Sequence, residues 1–353
     1  MSGFLILRFS SLGDVVLATS AARRIRARRP DARVVLATKA QFAPLFLGHP
    51  DIDEVWPLER RGLGPLVDRV RSEGFEAVVD LHANWRSRLV AALSNAPVAR
   101  WESRGLNRRL RVWAPFLKLE EPPAVAVRYA RAADRALNLA KGPASAADLS
   151  AALPRLGVDP AALAWAKDWL QAKGLRPGQK LLAVAPGAAW PSKRWGAEHL
   201  AQCLDLVAEF DRVLFLLLGS PAESPLMNSV AGYLKKSRAC VLRSEQDTGD
   251  LRRLAALVSR ADAFLGHDSG PMHVAEALGV PVTALFGPTV RGFGFFPQGP
   301  GHRVFERDLA CRPCSVHGTE ACPLGHHDCM QTLEPFDVSL HLRRVLGLEG
   351  AAA

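Results

Sequence analysis

The stretch F-L-G-H-D-S-G-P-M-H-V-A-E-A-L-G at residues 264–279 reads as a strand, a loop and a helix in immediate succession. Ala263–Gly266 is a short apolar run of buried-strand type. Pro271, with a small residue before it, is an ordinary helix-start signal and predicts a helix over Pro271–Leu278. The free N–H groups of that first turn form an anion site with the Ser269 hydroxyl in reach. Asp268, Ser269, Gly270 and His273 thus stand as candidate ligand-binding residues at a strand end. A histidine in this position is more often structural; its neighbours here, and a lysine elsewhere in the chain, reverse that preference.

The same succession occurs twice upstream. After the strand Lys180–Ala185 comes A-P-G-A-A-W-P-S-K-R-W at 185–195, where Gly187 allows close backbone approach and Lys193 and Arg194 bring cations to the loop. A cation beside a glycine-bearing strand–helix loop suits a diphosphate, whose departing charge needs neutralising. A solvated basic loop is the plainer alternative. After the strand Phe4–Arg8 comes F-S-S-L-G-D-V-V at 9–16, where Ser10, Ser11 and Gly13 make a tight turn and Asp14 falls at or near the helix N-cap. Capping alone accounts for an Asp there. The functional reading is a carboxylate kept ionised by the helix terminus and able to take a proton from a hydroxyl. No G-x-G-x-x-G follows this strand, which argues against dinucleotide binding by the first turn.

Around these motifs, short Val/Leu/Ala runs alternate with amphipathic stretches. Strands are predicted at Phe4–Arg8, Arg33–Thr38, Glu54–Pro57, Ala77–Leu81, Val98–Trp101, Lys180–Ala185, Arg212–Leu218, Ala239–Leu242, Ala263–Gly266 and Val280–Phe286, with helices between them and a last amphipathic helix over Phe336–Leu346. Strands apolar on both faces and separated by helices make parallel α/β sheets. The expected architecture is two doubly wound, Rossmann-like domains facing a central cleft: residues 1–176, with a helical linker over about 115–178 broken at Pro122-Pro123, Gly142-Pro143 and Pro177-Gly178, and residues 177–353.

The chain has 353 residues with 48% hydrophobic and 23% charged side chains, an ordinary globular composition that excludes disordered, collagenous and coiled-coil classes. No apolar run reaches the roughly 18 residues of a membrane span. The start, M-S-G-F-L-I-L-R-F-S-S-L-G-D, lacks a basic region followed by a long apolar stretch, so a cytoplasmic protein is expected. The formal charge is +10, and it is unevenly placed. Residues 1–176 hold 28 Lys and Arg against 17 Asp and Glu, whereas residues 177–353 hold 17 against 18. An anionic partner of the first half follows: nucleic acid, an acidic membrane or a phosphorylated substrate. Nucleic acid is disfavoured, because the arginines are scattered over helices without an RRM, KH or helix-turn-helix pattern.

Taken together, S-S-L-G-D-V at 10–15, P-G-A-A-W-P-S-K-R-W at 186–195 and the run from Asp268-Ser269-Gly270-Pro271-Met272-His273 through Phe286-Gly287-Pro288-Thr289 resemble glycosyltransferase family 9, the ADP-heptose:lipopolysaccharide heptosyltransferases. The resemblance runs from Leu5 to about Leu346. It implies a GT-B fold and an inverting transferase that requires no metal or other cofactor for catalysis, with the acceptor on the N-terminal domain and the ADP-sugar donor on the C-terminal one. On that footing Asp14 is the general base, Lys193 neutralises the departing ADP diphosphate, Asp268 binds the donor sugar, and Ser269, Gly270 and His273 hold its phosphates. Glu223, after Leu218-Gly219-Ser220, falls where the family places a carboxylate for the nucleotide ribose. The acceptor is then an anionic lipopolysaccharide precursor, met by the turn Ser10, Ser11 and Gly13 and by Arg86, Arg88, Arg104, Arg108, Arg109 and Arg111. The same basic surface implies peripheral contact with the inner membrane. Two departures bear on the donor: Ala188-Ala189 replace hydroxyl residues of some members, and Gly266-His267 replaces the more usual polar residue before Asp-Ser-Gly. A family 9 enzyme with another nucleotide sugar or acceptor, and a nucleotide-sugar-binding protein without transfer, are the alternatives.

Cys311, Cys314, Cys322 and Cys329 form C-x2-C-x7-C-x6-C, with His317, His326 and His327 interspersed, while Cys203 and Cys240 stand alone. Four thiolates suit a tetrahedral structural zinc, and reduced thiols used for packing are the competing reading. A disulfide is disfavoured in the cytosol.

Overall fold

The structure, a computed structural model, describes residues 3–59, 62–114, 117, 119–138, 152–209, 212–237, 241–244 and 246–348. The chain gathers into two compact units, Met1–Arg104 with Pro123–Asp159, and Gly105–Pro122 with Pro160–Ala353. The division therefore falls near residue 160 rather than 176, and the arginine-rich segment 105–122 belongs to the second unit. This redistributes the charge. The first unit carries 21 Lys and Arg against 14 Asp and Glu, and the second 24 against 21, so the excess is shared as +7 and +3.

The first unit is built on five parallel strands: β1 (Gly3–Leu7), β2 (Arg33–Lys39), β3 (Glu54–Leu58), β4 (Ala77–Asp80) and β5 (Val98–Arg100), in the order β3-β2-β1-β4-β5. β1 is central, pairing Phe4 with Val34 on one side and Ala77 on the other. Helices on both faces bury it completely, so its G-F-L-I-L sequence carries no polar side chain. Leu5, Leu7, Val35, Trp56, Val78 and Val90 meet in the core beneath it. Two helices follow β1, Leu12–Leu17 and Thr19–Arg28. The second is locked to the helix Val125–Ala136 by the Arg24–Asp134 ion pair at 2.6 Å and by the Ser20 hydroxyl donating to the Ala126 carbonyl at 2.9 Å.

The second unit has six parallel strands: β6 (Lys180–Ala185), β7 (Val213–Leu217), β8 (Val241–Arg243), β9 (Ala263–His267), β10 (Val282–Phe286) and β11 (Arg303–Glu306), in the order β11-β10-β9-β6-β7-β8. The edge strand β11 was not foreseen, because R-V-F-E is short and half polar. Of the expected strand over Ala239–Leu242 the part from Val241 is described, within Val241–Arg243; residues 238–240, Cys240 among them, lie outside the described residues, as does Gly142-Pro143. The final helix, Pro335–Val345, packs on Ala197–Val207, and Arg343 pairs with Glu209 at 2.6 Å.

Both sheets reverse their winding beside the first strand of the unit, between β1 and β4 and between β6 and β9. Ligands of such sheets bind at the C-terminal strand ends beside this reversal. The three sequence motifs leave strands at these two places. The helix Gly105–Trp113 was missed by the sequence reading. Among the described residues no helix is long and apolar enough to cross a membrane.

Candidate functional site

In the first unit, the loop leaving β1 runs into the helix Leu12–Leu17, with Ser11 as N-cap and Asp14 in the first turn. Asp14 Oδ2 accepts from the Ser11 hydroxyl at 2.8 Å and the Ser11 amide at 3.2 Å. Its Oδ1 lies 2.8 Å from Arg8 Nη2, and the Asp14 side chain is 17% exposed. Burial alone would raise the Asp14 pKa, but the Arg8 guanidinium and the two Ser11 donors outweigh it and hold the carboxyl below its ordinary value. Of about four acceptor positions on a carboxylate, three are occupied, which leaves one for a substrate proton. Ser10 is half-buried beside it and Gly13 is buried within the helix turn.

Arg8, which sequence reasoning passed over, joins the two strand ends at the reversal: its Nη1 donates to the Leu81 carbonyl at 2.6 Å. The aromatic faces of Trp101 and Tyr129 lie 6.0 and 5.7 Å from its guanidinium carbon. Asp80, fully buried at the end of β4, accepts from the His82 and Ala83 amides. Burial, reinforced by Arg8, drives His82 down to about 4, so a neutral imidazole faces the carboxylate network at neutral pH.

In the second unit the loops after β6, β7 and β9 come together. Lys193 Nζ lies 2.5 Å from Asp268 Oδ2, and the Thr289 hydroxyl donates to the same oxygen at 2.9 Å. Ser269 caps the helix Gly270–Ala277, and its buried hydroxyl has no partner among the described residues. His273 Nδ1 meets Glu276 Oε2 at 2.9 Å, and Glu276 Oε1 accepts from the Gln298 amide at 2.7 Å. Glu223 accepts from the Ser220 amide and hydroxyl at 2.8 and 2.9 Å. Its other oxygen lies against Gly187, where an added Cβ would stand 1.7 Å from Oε1 and would have to displace the Glu223 carboxylate. The proposed donor residues of this unit are thus brought to one edge of one sheet. Thr289 and Glu276 were missed as contributors, although both lie within the quoted motif.

The departure His267 has a structural task. Its Nε2 accepts from the Trp195 amide at 2.9 Å, which ties the Lys193 loop to β9. Burial holds its pKa at about 4, so the ring stays neutral and able to accept.

The proposed acceptor arginines are not one group. Arg86, Arg88, Arg104 and Arg109 are exposed, Arg86 stacking on Trp85 at 5.3 Å and Arg104 lying 4.0 Å from Glu102. Arg111 is used internally. It donates to the Leu119 and Glu120 carbonyls, both at 2.7 Å, and to Asn107 at 3.1 Å, and it packs on Gly292, where a Cβ would lie 2.8 Å from its guanidinium carbon. Arg108 lies over the Phe295 ring at 5.8 Å. Both arginines hold a helix of the second unit in place, which corrects their grouping with the N-terminal unit.

Among the described residues, no group of three or more His, Cys, Asp or Glu side chains is placed to hold a metal ion. Cys311, Cys314, Cys322 and Cys329 are free, and burial, with the neighbouring cysteines, raises the Cys314 thiol and pushes Cys329 up to about 11. Cys329 is buried, and it lies with Met330 beneath Gly287. The cysteine segment braces the Lys193 loop. Thr319 donates to the Ser192 hydroxyl at 2.8 Å and accepts from the Ser192 amide at 3.1 Å, and His327 meets the Ser192 carbonyl at 2.7 Å. Arg312, between the first two cysteines, donates to the Gly287 and Thr289 carbonyls.

Residues 64–323 match the profile of glycosyltransferase family 9 (heptosyltransferase), close to three-quarters of the chain. Lipooligosaccharide heptosyltransferase 2 of Campylobacter jejuni is 31% identical over 172 residues, 48% of this chain and 53% of that protein, so the match spans about half of this relative. Lipopolysaccharide heptosyltransferase 2 of Escherichia coli is 28% identical over 308 residues, 82% of this chain and 84% of that one. A glycosyltransferase family 9 structure from Veillonella parvula superposes with a TM-score of 0.76 at 20% identity, covering 99% of this chain and 98% of that one.

Proposed function

The chain belongs to glycosyltransferase family 9 and has the GT-B fold, and from that premise we propose that it is an inverting transferase. It moves a heptose from ADP-heptose to the lipopolysaccharide inner core, with Kdo-lipid A or heptosyl-Kdo-lipid A as acceptor. The observation that carries this reading is the Asp14 carboxylate, held ionised at the end of the central strand with one acceptor position open. An acceptor hydroxyl gives its proton to Asp14 as its oxygen bonds the sugar's anomeric carbon. The bond from that carbon to the diphosphate breaks, and ADP leaves with the bonding electrons.

The departing diphosphate gains negative charge. Lys193, the N–H groups opening the helix Gly270–Ala277 and the Ser269 hydroxyl can meet that charge where it develops. Asp268 then has two tasks, to hold Lys193 in place and to engage the sugar. Glu223, already anchored through one oxygen, offers the other to the nucleotide ribose. The exposed Arg86 and Arg104 meet the acidic groups of the acceptor. The acceptor is a lipid, so the enzyme works from the cytoplasm against the inner membrane face.

A second reading, another nucleotide sugar, is favoured by one observation: Ala188 and Ala189 supply no hydroxyls to the donor loop. Thermal melting with ADP-, UDP-, GDP- and CMP-sugars separates the two, since only a bound donor raises the melting temperature. The transfer itself is tested with ADP-heptose and Kdo-lipid A or heptosyl-Kdo-lipid A. Asp14→Ala should abolish product while leaving ADP affinity intact. Wild-type turnover in this variant removes Asp14 as the base.

A further inference from the structure

The helix Gly105–Trp113 is nine residues long and buries none of them. Leu106, Leu110 and Trp113 follow at helical spacing and share one face with Arg109. Leu106 is 69% exposed, Trp113 72%, and Leu117 beyond the helix end 42%. Large apolar side chains this open are expensive to leave in water, and here they sit within a few residues of one another. The segment is also free of acid: between Ser103 and Leu119 there are five Lys and Arg and no Asp or Glu.

The way the helix is held leaves that face outward. Arg111 is bound to Asn107, Leu119 and Glu120 and packed on Gly292, and Arg108 lies over Phe295. These two arginines pin the opposite side of the helix to its own unit. Arg109 is exposed between Leu106 and Trp113, where its stem can lie along apolar surface while its charge reaches outward.

We propose that this helix is a membrane-docking element, which lays Leu106 and Trp113 into the surface of an anionic phospholipid bilayer while Arg109 engages the headgroups. The apolar face selects lipid over nucleic acid, and the acid-free, arginine-rich flank selects anionic over zwitterionic lipid. The proposal deepens the proposed function by naming the surface through which a lipid-borne acceptor is approached. It rests on that reading only for the presence of a membrane, because phospholipid binding needs neither donor nor acceptor.

The test is co-sedimentation of the full chain with vesicles of phosphatidylethanolamine containing phosphatidylglycerol, against vesicles of phosphatidylcholine alone, with no acceptor present. The wild-type chain should pellet with the anionic vesicles, less so as salt rises, and stay in solution with phosphatidylcholine. The double variant Leu106→Ser/Trp113→Ser should bind the anionic vesicles at least about tenfold more weakly, from the apolar burial it gives up. Its melting temperature and its transfer rate on a lipid-free acceptor sugar should match the wild type. Equal vesicle binding by variant and wild type, or no binding by either, overturns the proposal. So does a wild-type dimer that the double variant converts to monomer, because the face would then belong to a second copy. A wild-type chain that binds the anionic vesicles but transfers no heptose would overturn the proposed function and leave the docking helix standing.

Discussion

Lys193 and Asp268 form a nearly buried ion pair, 2.5 Å apart with side chains 12% and 11% exposed, that links the loop after β6 to the loop after β9. The pair spans the reversal of strand order in the second sheet. The lysine that should meet a leaving diphosphate is therefore already oriented by a carboxylate before any donor arrives. Preorganisation of this kind removes the cost of gathering a flexible side chain at the moment of reaction.

Lys193→Met should lower the transfer rate by about 10²- to 10³-fold and weaken ADP-sugar binding. It should also destabilise the protein by about 3 kcal/mol, because Asp268 loses its buried counter-ion. The double variant Lys193→Met/Asp268→Asn should recover much of the stability and none of the activity. Denaturant unfolding and steady-state kinetics on the same three proteins check this, and a Lys193→Met protein as stable as wild type would show the pair to be incidental.

His267 connects the same loop to β9 through the Trp195 amide, and its pH behaviour follows from burial. The folded pKa of about 4 lies below the ordinary histidine value of 6.5, so the unfolded chain binds the proton first as pH falls. The contribution is complete above pH 6.5 and is lost between there and about 4, by up to about 3 kcal/mol. His267→Gln, which keeps an acceptor near Nε2 without a titrating ring, should flatten this part of the stability curve. Thermal unfolding across that pH range measures the difference, and parallel curves for the two proteins would count against it.

The cysteine segment holds the Lys193 loop from the other side. Gly318 has a positive φ of 109°, and an added Cβ there would lie 2.6 Å from the Trp190 side chain. Gly318→Ala should therefore displace residues 190–193, raising the donor KM several-fold and costing about 2 kcal/mol of stability. Calorimetric ADP binding together with a melting curve reads both. Unchanged donor affinity would mean that the segment does not set the loop.

Much of this was legible in the sequence. β1 and β6–β10 announce themselves as apolar runs, and the three motifs fall on strand ends because glycine, proline and small polar residues mark those turns. The roles within the motifs were less legible. Arg8 looked like one basic residue at the end of a strand, and only the fold brings it onto Asp14 and the Leu81 carbonyl. The helix Gly105–Trp113 was missed, although the helical spacing of Leu106, Leu110 and Trp113 could have marked it. The excess of charge was over-read because sequence position placed Arg108, Arg109 and Arg111 with the first unit, whereas packing carries them to the second. The cysteine spacing gave no sign of the contacts by which Arg312 and Thr319 brace the neighbouring loops.

Arg8 is the residue whose replacement most directly tests the general base. In the wild type it opposes the effect of burial on Asp14, and the Ser11 donors add to it, so the carboxyl stays below its ordinary value. A base that must be ionised then gives an acid limb of kcat/KM below the ordinary carboxylate range, with activity present above it and lost as pH falls through it. Arg8→Met removes the counter-charge and leaves the burial, so the acid limb should move upward by one unit or more, roughly the shift a close guanidinium imposes on a carboxylate. At pH well above the new limb the variant should recover a large part of the wild-type rate, because the carboxylate is again ionised and Ser11 still holds it. Asp14→Asn supplies the contrast, inactive at every pH. A pH–rate profile of Arg8→Met that falls in amplitude without moving its acid limb would separate Arg8 from Asp14 ionisation and point to a role in acceptor binding instead.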